Sequence, residues 1–487
     1  MRSKVILLCT LFWLLATEGA MAQQSAGTSA PMTVEECIDY ALENSLTLQN
    51  ARLDEQIANA RVKETRGIGL PQIDGSVQVT HNQQLARFFS VYQTAQAFGG
   101  VNEQGEPNIN IPGVAPTDVV ASQNFFQLKS AGQAGLSINQ IIFNGSYIVG
   151  LKAANAYREL SRRSAEQSSE QTIENVTKAY YSVLINQERL KLFDNNIARV
   201  DSLLRTTEAL RQNGFAENID VDRTRVALNN LMTERDKFVQ LQDLSMALLK
   251  FQMNYPMEEP LSLQPVDFNT LQIASTIDSL VSDWDYSQRA DFRLLTTQKN
   301  LQELDVKNNY AASMPSLVAF ANLGLSTQSP DVAGIFTTNT NINDNGNIGP
   351  DKWYGSSLFG VSLQIPLFSG LQRNYKVQQA KLNLQKVENG LQQTQSAIDL
   401  EIEQSRIMYA NVVKTLASQK QNTELAQNIL TVTEAKYKQG LASNQEVITA
   451  ESDLREAQIN YYNSLLDALM ARVDLLKSYG LLSEYTN

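Results

Sequence analysis

"KQGLASNQEVITAESDL", Lys438 to Leu454, is the stretch whose reading decides the fold. Gly440 is followed six residues on by an acid, Glu446, and then by a pattern that reads as an amphipathic helix. The chain carries a second copy. "QNGFAENIDVDRTRVAL", Gln212 to Leu228, repeats Gly, Ala, Asn, an acid, Val and Leu at the same offsets, 226 residues earlier. Gly214 and Gly440 suit the positive φ with which a helix commonly stops. Asn218 and Asn444 are placed to cap a returning helix. Asp220 and Glu446 then fall in its first turn, where a carboxylate meets the positive end of the dipole. Each stretch is therefore expected to reverse a helix, with turns near 214 and 440.

The helices entering these bends are long. Leu151–Asn213 contains neither Pro nor Gly, and at 1.5 Å per residue it would run on the order of 95 Å. Val176, Val183, Leu190, Ile197 and Leu204 fall seven apart, and Ile402, Tyr409, Leu416, Thr423 and Leu430 repeat them in the second copy. Sustained sevens predict helices wound around neighbours in a left-handed sense. The polar members imply a partly wet or multi-helix interface.

Further paired stretches extend the repeat to the whole chain. "INQIIFNG" (Ile138–Gly145) matches "LQIPLFSG" (Leu363–Gly370), each a strand running into a helix. "GIGLPQ" (Gly67–Gln72) matches "AASMPS" (Ala311–Ser316), each a helix running into a strand. The first repeat is expected over 23–255: helix 33–70, strands 71–95 and 122–144, and a helical hairpin 146–255. Pro256, Pro260 and Pro265 interrupt the chain in a linker, 256–285. The second repeat is expected over 286–487: helix 286–313, strands 315–329 and 353–368, and a hairpin 371–482. The fold class is thus mixed α and β, mainly α, with an internal tandem duplication.

The strand stretches alternate. Ile73, Val77 and Val79 alternate with Asp74, Ser76, Gln78 and Thr80, and Phe359, Val361, Leu363 and Ile365 with Gly360, Ser362 and Gln364. Phe126, Leu128, Ala134, Leu136 and Ile138 oppose Gln127, Lys129, Gln133, Ser137 and Asn139, and Leu317, Ala319, Ala321, Leu323 and Leu325 take one face of the remaining stretch. A half-buried sheet on helices gives such a pattern, and so do membrane strands of about ten residues. Length, long low-charge connecting loops and export favour the membrane. Four strands cannot close a barrel, because single-chain barrels start at about eight. Open edges in lipid leave backbone groups unsatisfied. Several chains must pool their strands.

Residues 1–22 read as an export signal, with Arg2 and Lys4 before "VILLCTLFWLLA" and "AMA" at Ala20–Ala22. Of two cysteines, Cys9 lies in that apolar run, so Cys37 has no internal disulfide partner. A net charge of −11 argues against nucleic acid as a partner. The single histidine, His81, has no ligand set around it, and no catalytic constellation is visible, so neither enzyme activity nor a metal or other cofactor is expected. "NINDNG" (Asn341–Gly346) starts like a calcium loop but has Lys352 where the bidentate Glu belongs. "DSLVSDWDY" (Asp278–Tyr286) is expected to mark a solvated helix end. No Gly-rich phosphate loop is present, so any energy source belongs to a partner.

The opening helix "MTVEECIDYALENSLTLQNARLDEQIANARV", the junctions "GLPQIDGSV" and "IPLFSG", and "AKYKQGLASNQEVITAESDLREAQINYYNSLLDAL" resemble the TolC-like outer-membrane efflux proteins over almost the whole chain after the signal. The resemblance implies a homotrimer in which each chain gives four strands to a shared outer-membrane β-barrel, continued by a long periplasmic α-helical barrel. It further implies outer-membrane lipid around the strands, a periplasmic adaptor as partner, and an inner-membrane transporter reached through that adaptor. The function implied is the passive outer-membrane duct of a tripartite efflux or type I secretion system. The alternative is an elongated coiled-coil envelope scaffold without a pore. In the family, a Tyr, an Arg and two Asp at the second bend close the duct. Aligned on Gly440, the Tyr is Tyr437 and the first acid is Glu446, whereas the Arg and the second Asp are replaced by Ala442 and Thr449. The acid of the first bend is Asp220. A Tyr437–Asp220 contact is expected to latch the gate, and three copies of Glu446 to form a cation-favouring ring.

Overall fold

The computed structural model describes residues 31–98, 110–122, 127–266, 284–337 and 353–482. The export signal, "NINDNG", Lys352, Phe126 and most of "DSLVSDWDY" lie outside the described residues. The chain divides into two compact units. One holds residues up to Asp54, Ser161–Thr296 and Gly390 onward; the other holds Glu55–Leu160 and Thr297–Asn389.

The elements follow in the order α1 (Val34–Asn44), α2 (Leu46–Ile68), β1 (Gln72–His81), β2 (Phe88–Val91), α3 (Tyr92–Phe98), β3 (Val119–Ser122), β4 (Ser130–Asn144), α4 (Gly145–Gln212) and α5 (Asn218–Met253). After a short 3-10 turn, Tyr286–Gln288, come α6 (Ala290–Ala311), β5 (Ser316–Ser329), α7 (Val332–Thr337), β6 (Tyr354–Gln364), α8 (Gln372–Lys438) and α9 (Asn444–Ser478). Three expectations need correction. The helix expected over 33–70 is broken at Ser45, whose extended ψ of 122 cannot continue a helical turn. The strand expected over 71–95 ends at His81, and Phe88–Val91 forms a separate ribbon paired antiparallel with Val119–Ser122. The strand expected over 122–144 therefore starts only at Ser130.

In the second unit the sheet order is β1-β4-β5-β6, antiparallel throughout. Its strands are 10, 15, 14 and 11 residues long, enough to cross a hydrocarbon layer at a tilt. Register sorts the side chains into two faces. The rows Ile73–Ile138–Ala321–Phe359 and Val77–Ala134–Leu325–Gly355 lie on one face. The rows Gln78–Gln133–Ser326–Tyr354 and Asp74–Ser137–Asn322–Leu358 lie on the other. Away from the end that Ile335 covers, the apolar face is open: Val77 is 79% exposed and Phe359 is 69% exposed. A bare patch of this kind marks a protein or membrane contact. Ile142 is an extra residue on β4, between the pairs Ile141/Val318 and Phe143/Leu317. This bulge returns Phe143 to the apolar face opposite Leu317. Without it, strict alternation would turn Phe143 to the polar side.

In the first unit, α1 begins with a reciprocal cap. Thr33 Oγ1 accepts from the Glu36 amide at 3.2 Å, and the Glu36 carboxylate accepts from the Thr33 amide at 2.8 Å. Cys37, Ile38 and Ala41 of α1 pack with Val176, Tyr180 and Ile185 of α4, Leu249 and Met253 of α5, and Leu465 and Leu469 of α9. Cys37 is fully buried, and burial pushes its thiol up to about 12. The seven-residue seam of α4 is buried or half-buried throughout, and Leu430 of the second seam is fully buried. Arg289 is a buried tie: it donates to Asp291 and Glu401 at 2.8 Å and to the carbonyl oxygens of Lys477 and Ser478.

Candidate functional site at the two helix bends

Both bends stop their incoming helix in the same way. At the end of α4 the Phe215 amide donates to the Leu210 carbonyl at 2.8 Å and the Gly214 amide to the Arg211 carbonyl at 3.0 Å. At the end of α8, Leu441 donates to Lys436 at 2.8 Å and Gly440 to Tyr437 at 2.9 Å. This is the pair of hydrogen bonds of a left-handed helix stop. Gly214 and Gly440 take φ of 78 and 75, so they meet the conformation that glycine adopts without strain. Phe215 and Leu441, one residue on, are 81% and 72% exposed.

The returning helices are capped one residue earlier than expected. Glu217 and Ser443, not Asn218 and Asn444, hold the cap positions. Ser443 Oγ accepts from the Glu446 amide at 3.3 Å and donates to Glu446 Oε1 at 3.0 Å. Asp220 Oδ2 accepts from the Glu217 amide at 3.4 Å. Both acids therefore sit in the first turn and close a cap.

Freed from capping, the two asparagines diverge. Asn218 accepts from Arg211 at 3.1 Å within its own exposed bend. Asn444 is buried and reaches across to the other hairpin. Its Nδ2 donates to the Asp220 carbonyl at 3.0 Å and to Thr224 Oγ1 at 2.9 Å, and its Oδ1 lies 3.4 Å from Thr207 Oγ1. Thr207 and Thr224 are both fully buried. The Tyr437 hydroxyl lies 3.4 Å from Thr207 Oγ1. Within the chain it pairs with Thr207 rather than with Asp220, which corrects the expected latch. Asn444, expected as a cap, is instead the centre of the contact between the bends. The signal that finds it is Ser443-x-x-Glu446, a complete capping box that leaves the following Asn free.

Farther along the same hairpins, Arg199 donates from Nε and Nη2 to the two oxygens of Glu451 at 3.0 and 3.2 Å. Glu451 is buried, and burial pushes its carboxyl above the usual range against the pull of Arg199. It lines a cleft of about 360 Å³ with Asn196, Glu234, Lys237 and Arg455. Among the described residues no cluster of His, Cys, Asp or Glu is arranged to hold a metal, and no helix is long and apolar enough to cross a membrane. The latter says nothing of a β-barrel.

The sequence profile described as "Outer membrane efflux protein" matches residues 37–243 and 289–481, one span in each repeat. This chain belongs to the outer membrane efflux protein family. It is 22% identical to the probable efflux pump outer membrane protein TtgC of Pseudomonas putida, over 72% of this chain and 71% of that one. It is 21% identical to the outer membrane protein TolC of Vibrio cholerae, over 72% of this chain and 77% of that one. Its fold matches a crystal structure of CusC with a TM-score of 0.71 and 15% identity, covering 92% of this chain and 91% of that chain. The protein is thus a TolC-like outer-membrane efflux channel rather than an enzyme, and the pore-less scaffold is set aside.

Proposed function

We propose that three copies of this chain pool their sheets into one twelve-stranded outer-membrane barrel, which their helices continue as a passive duct gated at the two bends. The observation that carries this reading is the pair of open edges on β1 and β6. In lipid, each unsatisfied backbone group costs several kcal/mol, and four strands are too few to close. Because β1, β4, β5 and β6 alternate in direction, β6 of one copy meets β1 of the next antiparallel. Two copies would close too, but a barrel of about eight strands is filled by its own side chains. Three leave a lumen.

At the bends, exposed Phe215 and Leu441 offer a periplasmic adaptor apolar anchors beside a rigid glycine stop. The adaptor couples the duct to an inner-membrane transporter that supplies the energy. Asn444 holds the second bend against the first in the closed state, and three copies of Glu446 make the constriction acidic. Gln can serve in a capping box as well as Glu, so Glu446→Gln removes the charge and keeps the bend.

Detergent-extracted protein is expected in the outer-membrane fraction, with a native mass of three chains and with cysteines on β1 and β6 cross-linking between copies. A monomer released by salt or urea washing would refute the assembly. In bilayers, Glu446→Gln is expected to weaken cation preference; unchanged selectivity would remove Glu446 from the constriction.

A further inference from the structure

The four long strands hold one residue of the Asp, Glu, Lys and Arg set, and it is Asp74. Asp74 is the third residue of β1 and shares the polar face with Ser76, Gln78 and Thr80. Its row across the sheet runs through Ser137, Asn322 and Leu358. The next row is Ser76–Gly135–Gly324–Ser356, made only of small residues. Nothing bulky in that row screens the carboxylate. Asp74 is exposed, and it forms no ion pair among the described residues. β6, the strand that would meet β1 on closure, carries no Lys or Arg itself.

An ionisable residue at membrane depth is costly unless it faces water, and it marks function by default. In barrels it is the lumen-facing positions that tune selectivity. We propose that Asp74 is a specificity-determining residue of the duct. Its three copies form a carboxylate ring in the barrel lumen that favours cations, and solutes bearing ammonium or guanidinium groups, over anions. The inference rests on the trimeric reading above, and concerns the sheet rather than the bends.

The ring acts over a wide lumen. Twelve strands about 4.8 Å apart, tilted by about 40°, enclose a radius on the order of 12 Å. The screening length is about 8 Å at 0.15 M salt and about 30 Å at 0.01 M. The ring therefore controls the whole cross-section only in dilute salt, whereas a narrow constriction keeps its selectivity at higher salt.

The test measures reversal potentials of the full chain in planar bilayers under potassium chloride gradients, in a Glu446→Gln background that removes the acidic ring proposed at the second bend. Asp74→Cys is inserted first and then modified in place with thiosulfonate reagents, so that assembly precedes the change of charge; buried Cys37 is protected from them. Near 0.01 M salt, Asp74→Cys should lower the cation-to-anion permeability ratio at least about twofold, with the difference fading by about 1 M. A negatively charged reagent should restore the ratio and a positively charged one should invert it. Conducting channels with one ratio across all four states would overturn the role of Asp74. Failure to conduct even when Asn444→Ala releases the bends would instead overturn the trimeric duct, and this inference with it.

Discussion

Asn218 and Asn444 occupy equivalent places in the two bends, yet only Asn444 is buried and bonded across the hairpins. Asn444→Ala removes both bonds that cross to Asp220 and Thr224, a loss of roughly 1–3 kcal/mol for buried groups. Single-channel recording should show a resting conductance several-fold above the unaltered protein. Tyr437→Phe, which loses only the 3.4 Å contact to Thr207, should stay near it. A second residue-scale effect involves pH. Burial raises the Glu170 carboxyl to about 7, against Arg293 and Arg289 and with the help of Asp291 and Glu166. Between the ordinary value of 4.5 and about 7, the folded chain holds this proton more tightly than the unfolded chain. The stability it contributes is therefore complete below 4.5 and lost as pH rises through about 7. Urea midpoints should fall over that window, and Glu170→Gln should flatten the fall. The helix-stop glycines were legible in the sequence because a left-handed stop is a local requirement. The Asn444 contact was not, because Thr207 and Thr224 lie more than 200 residues away in sequence.

Among the elements, α5 carries an exposed seam. Leu241, Leu244, Leu248 and Phe251 recur at spacings of three and four, and all are exposed. Leu400, Ile407, Leu425 and Val432 make a comparable bare face on α8. Such faces are half of a knobs-into-holes contact, and in the trimer proposed above neighbouring copies would cover them. Leu244→Asp should lower the trimer fraction in native mass spectra while leaving far-ultraviolet helicity unchanged. Loss of helicity together with the trimer would mean that the seam supports the chain itself. The long strands were readable from alternation, which register later sorted into two faces. The ribbon of β2 and β3 was not, since four residues are too few for alternation to be distinguished from a loop. The break at Ser45 was missed for a related reason: the apolar spacing runs on across it.

At the scale of the whole molecule, the duplication was visible as matched bends and matched junctions, and it accounts for the doubled succession of helix, strand, strand and hairpin. Matched sequence does not mean matched geometry. In the first half the passage from strand to long helix runs through the bulge at Ile142 and enters the helix directly at Gly145. In the second half the equivalent passage contains two successive left-handed residues, Gly370 and Leu371, with φ of 59 and 64. The two copies thus pass from strand to helix by different backbone geometry. A gene that wrote either half twice would place the same passage at every handover, and in the trimer proposed above the alternation of two kinds around the barrel would be lost.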